Sequence, residues 1–108
     1  MNAQGLAAIL SGVSARLNMA FFQDLVTKHH IKQDELDGTR KMASSVLATL
    51  KKTPHDKIEA LVAKFNAQLT HHNDAFNQKA ADALGALREA QTLLGFVSTI
   101  LAKAGLRE

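Results

Sequence analysis

The sequence contains no cysteine, no tryptophan and no tyrosine. The absence of cysteine excludes disulfides, thiolate nucleophiles, iron–sulfur clusters and cysteine-based zinc sites. Aromatic residues make up only 5% of the chain and are all phenylalanine, so the core must be built mainly from Leu, Ala, Val, Ile and Met. That mixture favours helices over sheets. Stability must therefore come from the packing of aliphatic helix faces.

The excess of positive charge is also small. Thirteen Lys and Arg residues stand against ten Asp and Glu residues, which gives a formal charge of +3 with the histidines neutral. A protein specialised for nucleic acid usually carries a denser basic stripe. At 108 residues the chain has the length of one domain, and we expect a single helical domain over residues 1–108.

Long hydrophobic runs are absent as well. The N-terminal apolar stretch "LAAIL" is shorter than the roughly 7 to 15 residues of a signal-peptide core, and no positive segment precedes it. Residues 90–106 contain Gln91, Thr92, Ser98, Thr99 and Lys103, which make this segment too polar to span a bilayer. We therefore expect a soluble, cytoplasmic protein without an integral membrane segment.

Apolar residues recur every three or four positions from Leu6 to Leu25, as one face of an α-helix requires. This spacing predicts a first helix over about residues 3–30. A second helix is predicted over about 34–52, with Asp34 as its N-cap and lysines in its last turn. Thr53 as N-cap and Pro54 at the first helical position then predict the start of a third helix, because threonine can cap a helix and proline is favoured directly after the cap.

The remaining question is whether the third helix ends at "HHND". Its apolar register, set by Ile58 and Phe65, is displaced by one residue from the heptads of Leu87 and Leu94. Asn and Asp favour helix ends and caps, so a break near residues 72–75 is the favoured interpretation. This predicts an all-α, up-and-down bundle of four helices, at about 3–30, 34–52, 54–72 and 75–104.

The alternative is an architecture of three helices, in which the last one runs without interruption from 54 to 104. Such a helix would be about 75 Å long at about 1.5 Å per residue. A helix of that length requires a coiled-coil partner.

The histidines form two doublets, His29 with His30 and His71 with His72. Adjacent helical residues point about 100° apart, so neither doublet can chelate a metal as a pair. Other spacings give only single weak pairs: His30 with Asp34, His55 with Glu59, and His71 with Asp74. We expect no metal and no cofactor, and we interpret the doublets as residues at helix C-termini, where cations suit the helix dipole.

Catalytic motifs are not found in the sequence. It has no glycine-rich phosphate loop and no nucleophile elbow, and its serine pairs lie within helical patterns. Residues 90–102 are uncharged, and their apolar side chains cover more of the helix than one core face needs. This pattern predicts residues of an interface or core: Phe21, Phe22, Val26, Leu94, Phe96, Val97, Ile100 and Leu101.

We therefore expect a non-enzymatic protein–protein interaction module: a homo-oligomer, an adaptor, a chaperone or a regulatory subunit. Its partner would be a second copy or another protein, contacted through apolar helix faces.

The alternative function is a nucleic-acid-binding regulator that uses the basic region 28–64. The segment "IKQDEL" resembles the opening of the second helix in repressor-type helix-turn-helix motifs, which implies contact with DNA. The resemblance covers roughly twenty residues and ends at Thr39, Arg40 and Lys41, where that family has apolar residues and the turn glycine. The candidate nucleic-acid contacts are Lys28, Lys32, Arg40, Lys41, Lys51 and Lys52.

Overall fold

The computed structural model describes residues 1–105, and this part of the chain is helical throughout apart from short connections. It contains five α-helices: α1 (Ala3–Leu17), α2 (Ala20–Thr27), α3 (Gln33–Lys52), α4 (His55–Gln78) and α5 (Ala83–Lys103). The all-α class is confirmed, although the described residues hold one helix more than the four that the sequence predicts.

Helix α5 lies at the centre of the molecule and contacts each of the other four helices. Its most extensive contact is with α4, to which it is joined by a short turn. The wide apolar arc of α5 is buried within the chain, because neighbouring helices pack against it on several sides. The buried residues of α5 are Ala86, Leu87, Ala90, Leu93, Leu94, Val97, Ile100 and Leu101.

The prediction of one helix over residues 3–30 is wrong, since the chain bends by 45° between α1 and α2. We call this bend at Asn18 and Met19 the elbow. Asn18 ends α1 and donates from its side-chain amide to the carbonyl oxygen of Ser14 at 2.8 Å. Leu17 and Phe22 are both fully buried, although residues five apart on a straight helix point about 140° apart. The elbow allows both side chains to enter one core.

The predicted helix over 34–52 matches α3 to within one residue. Asp34 lies in the first turn rather than at the N-cap, which is Lys32. Thr53 does not cap the following helix, because its hydroxyl donates to the carbonyl oxygen of Thr49 within α3 at 2.6 Å. Pro54 occupies the N-cap of α4, one residue earlier than predicted.

The predicted break at residues 72–75 is wrong, and so is the uninterrupted helix over 54–104. Helix α4 continues through the second histidine doublet to Gln78, and the chain turns at residues 79–82. Leu69 and Phe76 lie seven residues apart on one face and are both almost fully buried, so the core holds this segment helical. Asp82 then caps α5, accepting a 3.0 Å hydrogen bond from the backbone N–H of Gly85.

Candidate interaction surfaces

The eight apolar residues predicted as interface or core all lie in the core or at its border. Five are buried: Phe22, Leu94, Val97, Ile100 and Leu101. Three are half-buried and pack against that core: Phe21, Val26 and Phe96. The apolar face of α5 from Leu94 to Leu101 is therefore packed within the chain itself, and a surface for a partner lies elsewhere.

The predicted nucleic-acid contacts do not form one basic patch. Lys32 lies at the start of α3 and Lys51 near its end, about 28 Å apart at about 1.5 Å per residue. Lys41 and Lys52 share one exposed face of α3, but Asp34 projects within about 20° of the same direction. Lys28 is exposed in the connection after α2. The carboxylates of α3 lie in its first two turns and its basic residues follow them, so the helix does not carry one continuous basic stripe.

The side chain of Arg40 is bound by other residues of the fold and is not free to contact nucleic acid. Its Nη1 lies 3.4 Å from the side-chain oxygen of Gln23 and 3.6 Å from a carboxylate oxygen of Asp37. Its Nε donates to the carbonyl oxygen of Leu17, just before the elbow. Gln23 in turn donates to Gln33 at 2.8 Å, and Gln33 donates to Asp37 at 2.9 Å. These hydrogen bonds and the ion pair of Arg40 with Asp37 join α2 and the end of α1 to the first half of α3.

The first histidine doublet follows the end of α2, as predicted. The N–H of His29 donates to the carbonyl oxygen of Val26 at 3.0 Å, and that of His30 donates to Leu25 at 2.8 Å. These two bonds are the Schellman motif, which closes a helix with a residue in the left-handed conformation. His29 has a φ of 61° and occupies that position.

The second doublet does not lie at a helix C-terminus, which corrects the prediction. His72 is half-buried in α4, six residues before the helix ends at Gln78, with its ring 5.1 Å from the ring of Phe96 on α5. Phe96 also makes an edge-to-face contact with Phe65, at 5.7 Å between ring centroids. Phe65 has non-helical angles, φ −114° and ψ 19°, and marks a kink in α4. His72 therefore contributes to packing between α4 and α5.

The acidic partner of His55 is already occupied by the backbone. A carboxylate oxygen of Glu59 accepts a hydrogen bond from the N–H of Ala3 at the start of α1, where negative charge suits the helix dipole. The Nε2 of His55 lies 3.8 Å from the same oxygen. Among residues 1–105, no group of three His, Asp or Glu side chains is placed to hold a metal ion.

Large apolar side chains are exposed at the end of the bundle that contains the elbow. Met19 at the elbow is 56% exposed, and Leu84 in the first turn of α5 is 37% exposed. Leu84 borders an open cleft of about 350 Å³ between α2 and the start of α5, which we call the α2–α5 cleft. Its other lining residues are Phe21, Asp24, Leu25, Lys28, His30, Ala81, Asp82 and Ala83.

A second open depression, of about 310 Å³, lies between α1 and α4, and we call it the α1–α4 groove. Its lining residues are Ala8, Ile9, Gly12, Val13, Arg16, Asn73, Phe76 and Asn77. The groove ends near the elbow on α1 and near the turn at residues 79–82 on α4. The α2–α5 cleft is lined by Phe21, two residues after the elbow, and by Ala81 and Asp82 of the same turn, so the two depressions flank one end of the molecule.

The sequence contained weak signals for this region. Met19 fitted the apolar pattern of an uninterrupted helix, so its exposure could not be recognised. Arg16 is the only charged residue among the first 23, which marks it as unusual without showing where it lies.

Within residues 1–105, no individual helix is long and apolar enough to cross a membrane, and only the bent pair α1 and α2 passes that test jointly. Comparison with protein-family models, curated proteins and solved structures gives no match to this chain.

Proposed function

We propose that this chain is a non-enzymatic protein-interaction module that binds its partner at the elbow end of the bundle. The observation that carries the proposal is the exposure of Met19 at the elbow and of Leu84 at the border of the α2–α5 cleft. Among residues 1–105 the only other large apolar side chain that is exposed is Met1. Two of three such side chains therefore lie at one end of the fold.

The composition of the α2–α5 cleft suits the centre and rim of a protein interface. Phe21 and Leu84 provide apolar area, and Asp24, Lys28 and Asp82 surround it with charges of both signs. Interfaces bury such an apolar centre and keep a polar rim that determines which partner fits. Met19 adds a flexible side chain that adapts to different surfaces.

The partner is either a second copy, which makes the protein a homo-oligomer, or another protein, which makes it an adaptor, a chaperone or a regulatory subunit. Light scattering at several concentrations separates these cases. A mass that rises with concentration supports a homo-oligomer. A constant monomer mass, together with specific retention of a partner on the immobilised protein, supports the other roles. A strict monomer that retains no protein contradicts the proposal.

A double variant, Met19→Ser with Leu84→Ser, tests whether the elbow end is responsible. We expect the variant to keep its helix content, because neither side chain is buried, and to lose self-association or partner retention. The matched control is Ala63→Ser with Ala102→Ser, which changes two exposed positions elsewhere on α4 and α5. Equal association by both double variants would contradict the assignment of the surface.

A further inference from the structure

The α1–α4 groove contains a cation that has no acidic partner among residues 1–105. The guanidinium carbon of Arg16 lies 4.3 Å from the centroid of the Phe76 ring. Within residues 1–105, the Arg16 side chain makes no hydrogen bond and no ion pair. Stacking on an aromatic face holds the plane of a guanidinium, while its five N–H donors stay free in that plane to bind a carboxylate in a fork.

Two carboxamides lie in the same groove and are also unused. Asn73 and Asn77 project from successive turns of α4, and neither side chain has a hydrogen-bond partner among the described residues. Each amide has two donors and one acceptor oxygen. The groove therefore presents a cationic fork and two carboxamides above an apolar floor that includes Val13 and Phe76.

Among the described residues, none of those that line the groove is acidic. The first acidic residue in the sequence is Asp24, so α1 has no carboxylate that could neutralise Arg16. Asp74 is adjacent to Asn73 in the sequence but is exposed and outside the groove. The groove is thus complementary in charge to a carboxylate.

Gly12 makes the middle of the groove accessible to a backbone. A Cβ atom at this position would meet no atom within 4 Å, so packing inside the chain does not require glycine here. Glycine in a helix interior costs about 0.5 to 1 kcal/mol relative to alanine. With Ala8 one turn earlier, it leaves a shallow channel that extends about 12 Å along α1 to Arg16.

From these observations we propose that the α1–α4 groove binds a helical segment of the partner protein that carries a carboxylate side chain. The carboxylate pairs with Arg16, polar groups of the segment bond to Asn73 and Asn77, and an apolar side chain packs against Ala8 and Ile9, the accessible apolar lining. The inference rests on the proposed function, because the groove adjoins the elbow end, and it specifies the partner as acidic.

The test is a titration of the ¹⁵N-labelled protein followed by NMR. The probe is an acetylated and amidated Ala–Leu peptide of about 15 residues, long enough for a helix to form, with one central glutamate. A twin peptide has glutamine in place of that glutamate. We expect the glutamate peptide to shift the amide of Gly12 and the side-chain amides of Asn73 and Asn77, and to bind at least about tenfold more tightly than its twin.

Three variants locate the binding. Arg16→Gln is expected to weaken the glutamate peptide at least about tenfold, to the affinity of its twin. Gly12→Leu, which enters open space, is expected to block the groove without unfolding the helix. The matched control is Lys64→Gln, because Lys64 also lies over a ring, that of Phe65, 5.4 Å from its centroid. This control removes the same charge and should leave binding unchanged.

Other outcomes overturn the inference. Equal binding of the two peptides, or no shift at Gly12, Asn73 and Asn77 at about millimolar peptide, excludes carboxylate recognition by this groove. If octanoate shifts these signals and the peptide does not, the groove takes a free organic acid instead of a protein segment. The elbow-end proposal fails separately, because it depends on Met19 and Leu84 and is measured by association of the intact chain.

Discussion

The Nε–H of Arg40 donates a 2.8 Å hydrogen bond to the carbonyl oxygen of Leu17, the last residue of α1. The last carbonyl groups of a helix have no partner within the helix, and a cation is favoured there by the helix dipole. Arg40 therefore stabilises the end of α1 from a neighbouring helix. This contact holds the elbow, and with it the exposed position of Met19.

Replacing Arg40 should destabilise the fold. In Arg40→Gln the charge-assisted bond to Leu17 is lost, and we expect a decrease of about 1.5 kcal/mol in the free energy of unfolding. The measurement is urea unfolding followed by circular dichroism. Lys41→Gln removes the same charge at the adjacent, exposed position and should change the free energy by less than about 0.5 kcal/mol. Equal effects of the two variants would contradict the role of Arg40 at the elbow.

Proline distinguishes the observed turn from the predicted one. Asn73→Pro should cost about 3 kcal/mol or more, because it removes a hydrogen bond inside α4 and clashes with the preceding turn. Ala83→Pro should be nearly neutral, because residue 83 is the first position of α5 and Asp82 before it is extended, with φ −116° and ψ 95°. The measurement is the thermal unfolding temperature of the two variants. A larger loss of stability in Ala83→Pro than in Asn73→Pro would place the turn at "HHND".

His29 should be replaceable by glycine with a gain in stability. Its left-handed conformation is unfavourable for a residue with a Cβ atom, and glycine adopts it freely. We expect His29→Gly to raise the free energy of unfolding by about 0.5 to 1 kcal/mol. His30→Gly is the control and should give no gain, since a positive φ is not found there. A loss of stability in His29→Gly would mean that the imidazole has its own stabilising contact.

The lysines of α3 provide a test of the nucleic-acid alternative. We expect any binding of duplex DNA at low salt to depend only on the total charge of the protein. The double variant Lys51→Gln with Lys52→Gln should therefore weaken DNA binding no more than the double variant Lys57→Gln with Lys64→Gln. The measurement is a mobility shift at low and moderate salt. A loss confined to the first pair would favour a defined DNA-binding surface at the end of α3.

Periodicity predicted the class of the fold and most of the core, and it failed where two helix signals competed. The all-α class and the bounds of α3 follow from apolar spacing and terminal charges, which are local properties. The turn between α4 and α5 does not, because Asp74 and Asp82 are both suitable caps. The burial of Phe76 selects Asp82, and that burial depends on tertiary contacts with the rest of the core.

The elbow and the surfaces beside it were beyond sequence reasoning for a similar reason. Leu17, Phe21 and Leu25 keep helical spacing across the bend, so the pattern reads as one helix. Arg40, whose side chain bonds to Leu17 at the end of α1, lies 23 residues away in the sequence. The sequence therefore predicted Arg40 as a basic surface residue, although its side chain binds the end of α1 beside the elbow.

The central claim, that a partner binds at the elbow end, is tested most directly by photo-crosslinking. Benzoylphenylalanine is introduced in place of Leu84, and in a matched protein in place of Ala63, which is exposed on α4. We predict that position 84 forms a covalent adduct with a second copy or with a partner protein, and that position 63 does not. Adducts of equal yield at both positions, or adducts only at position 63, would contradict the account.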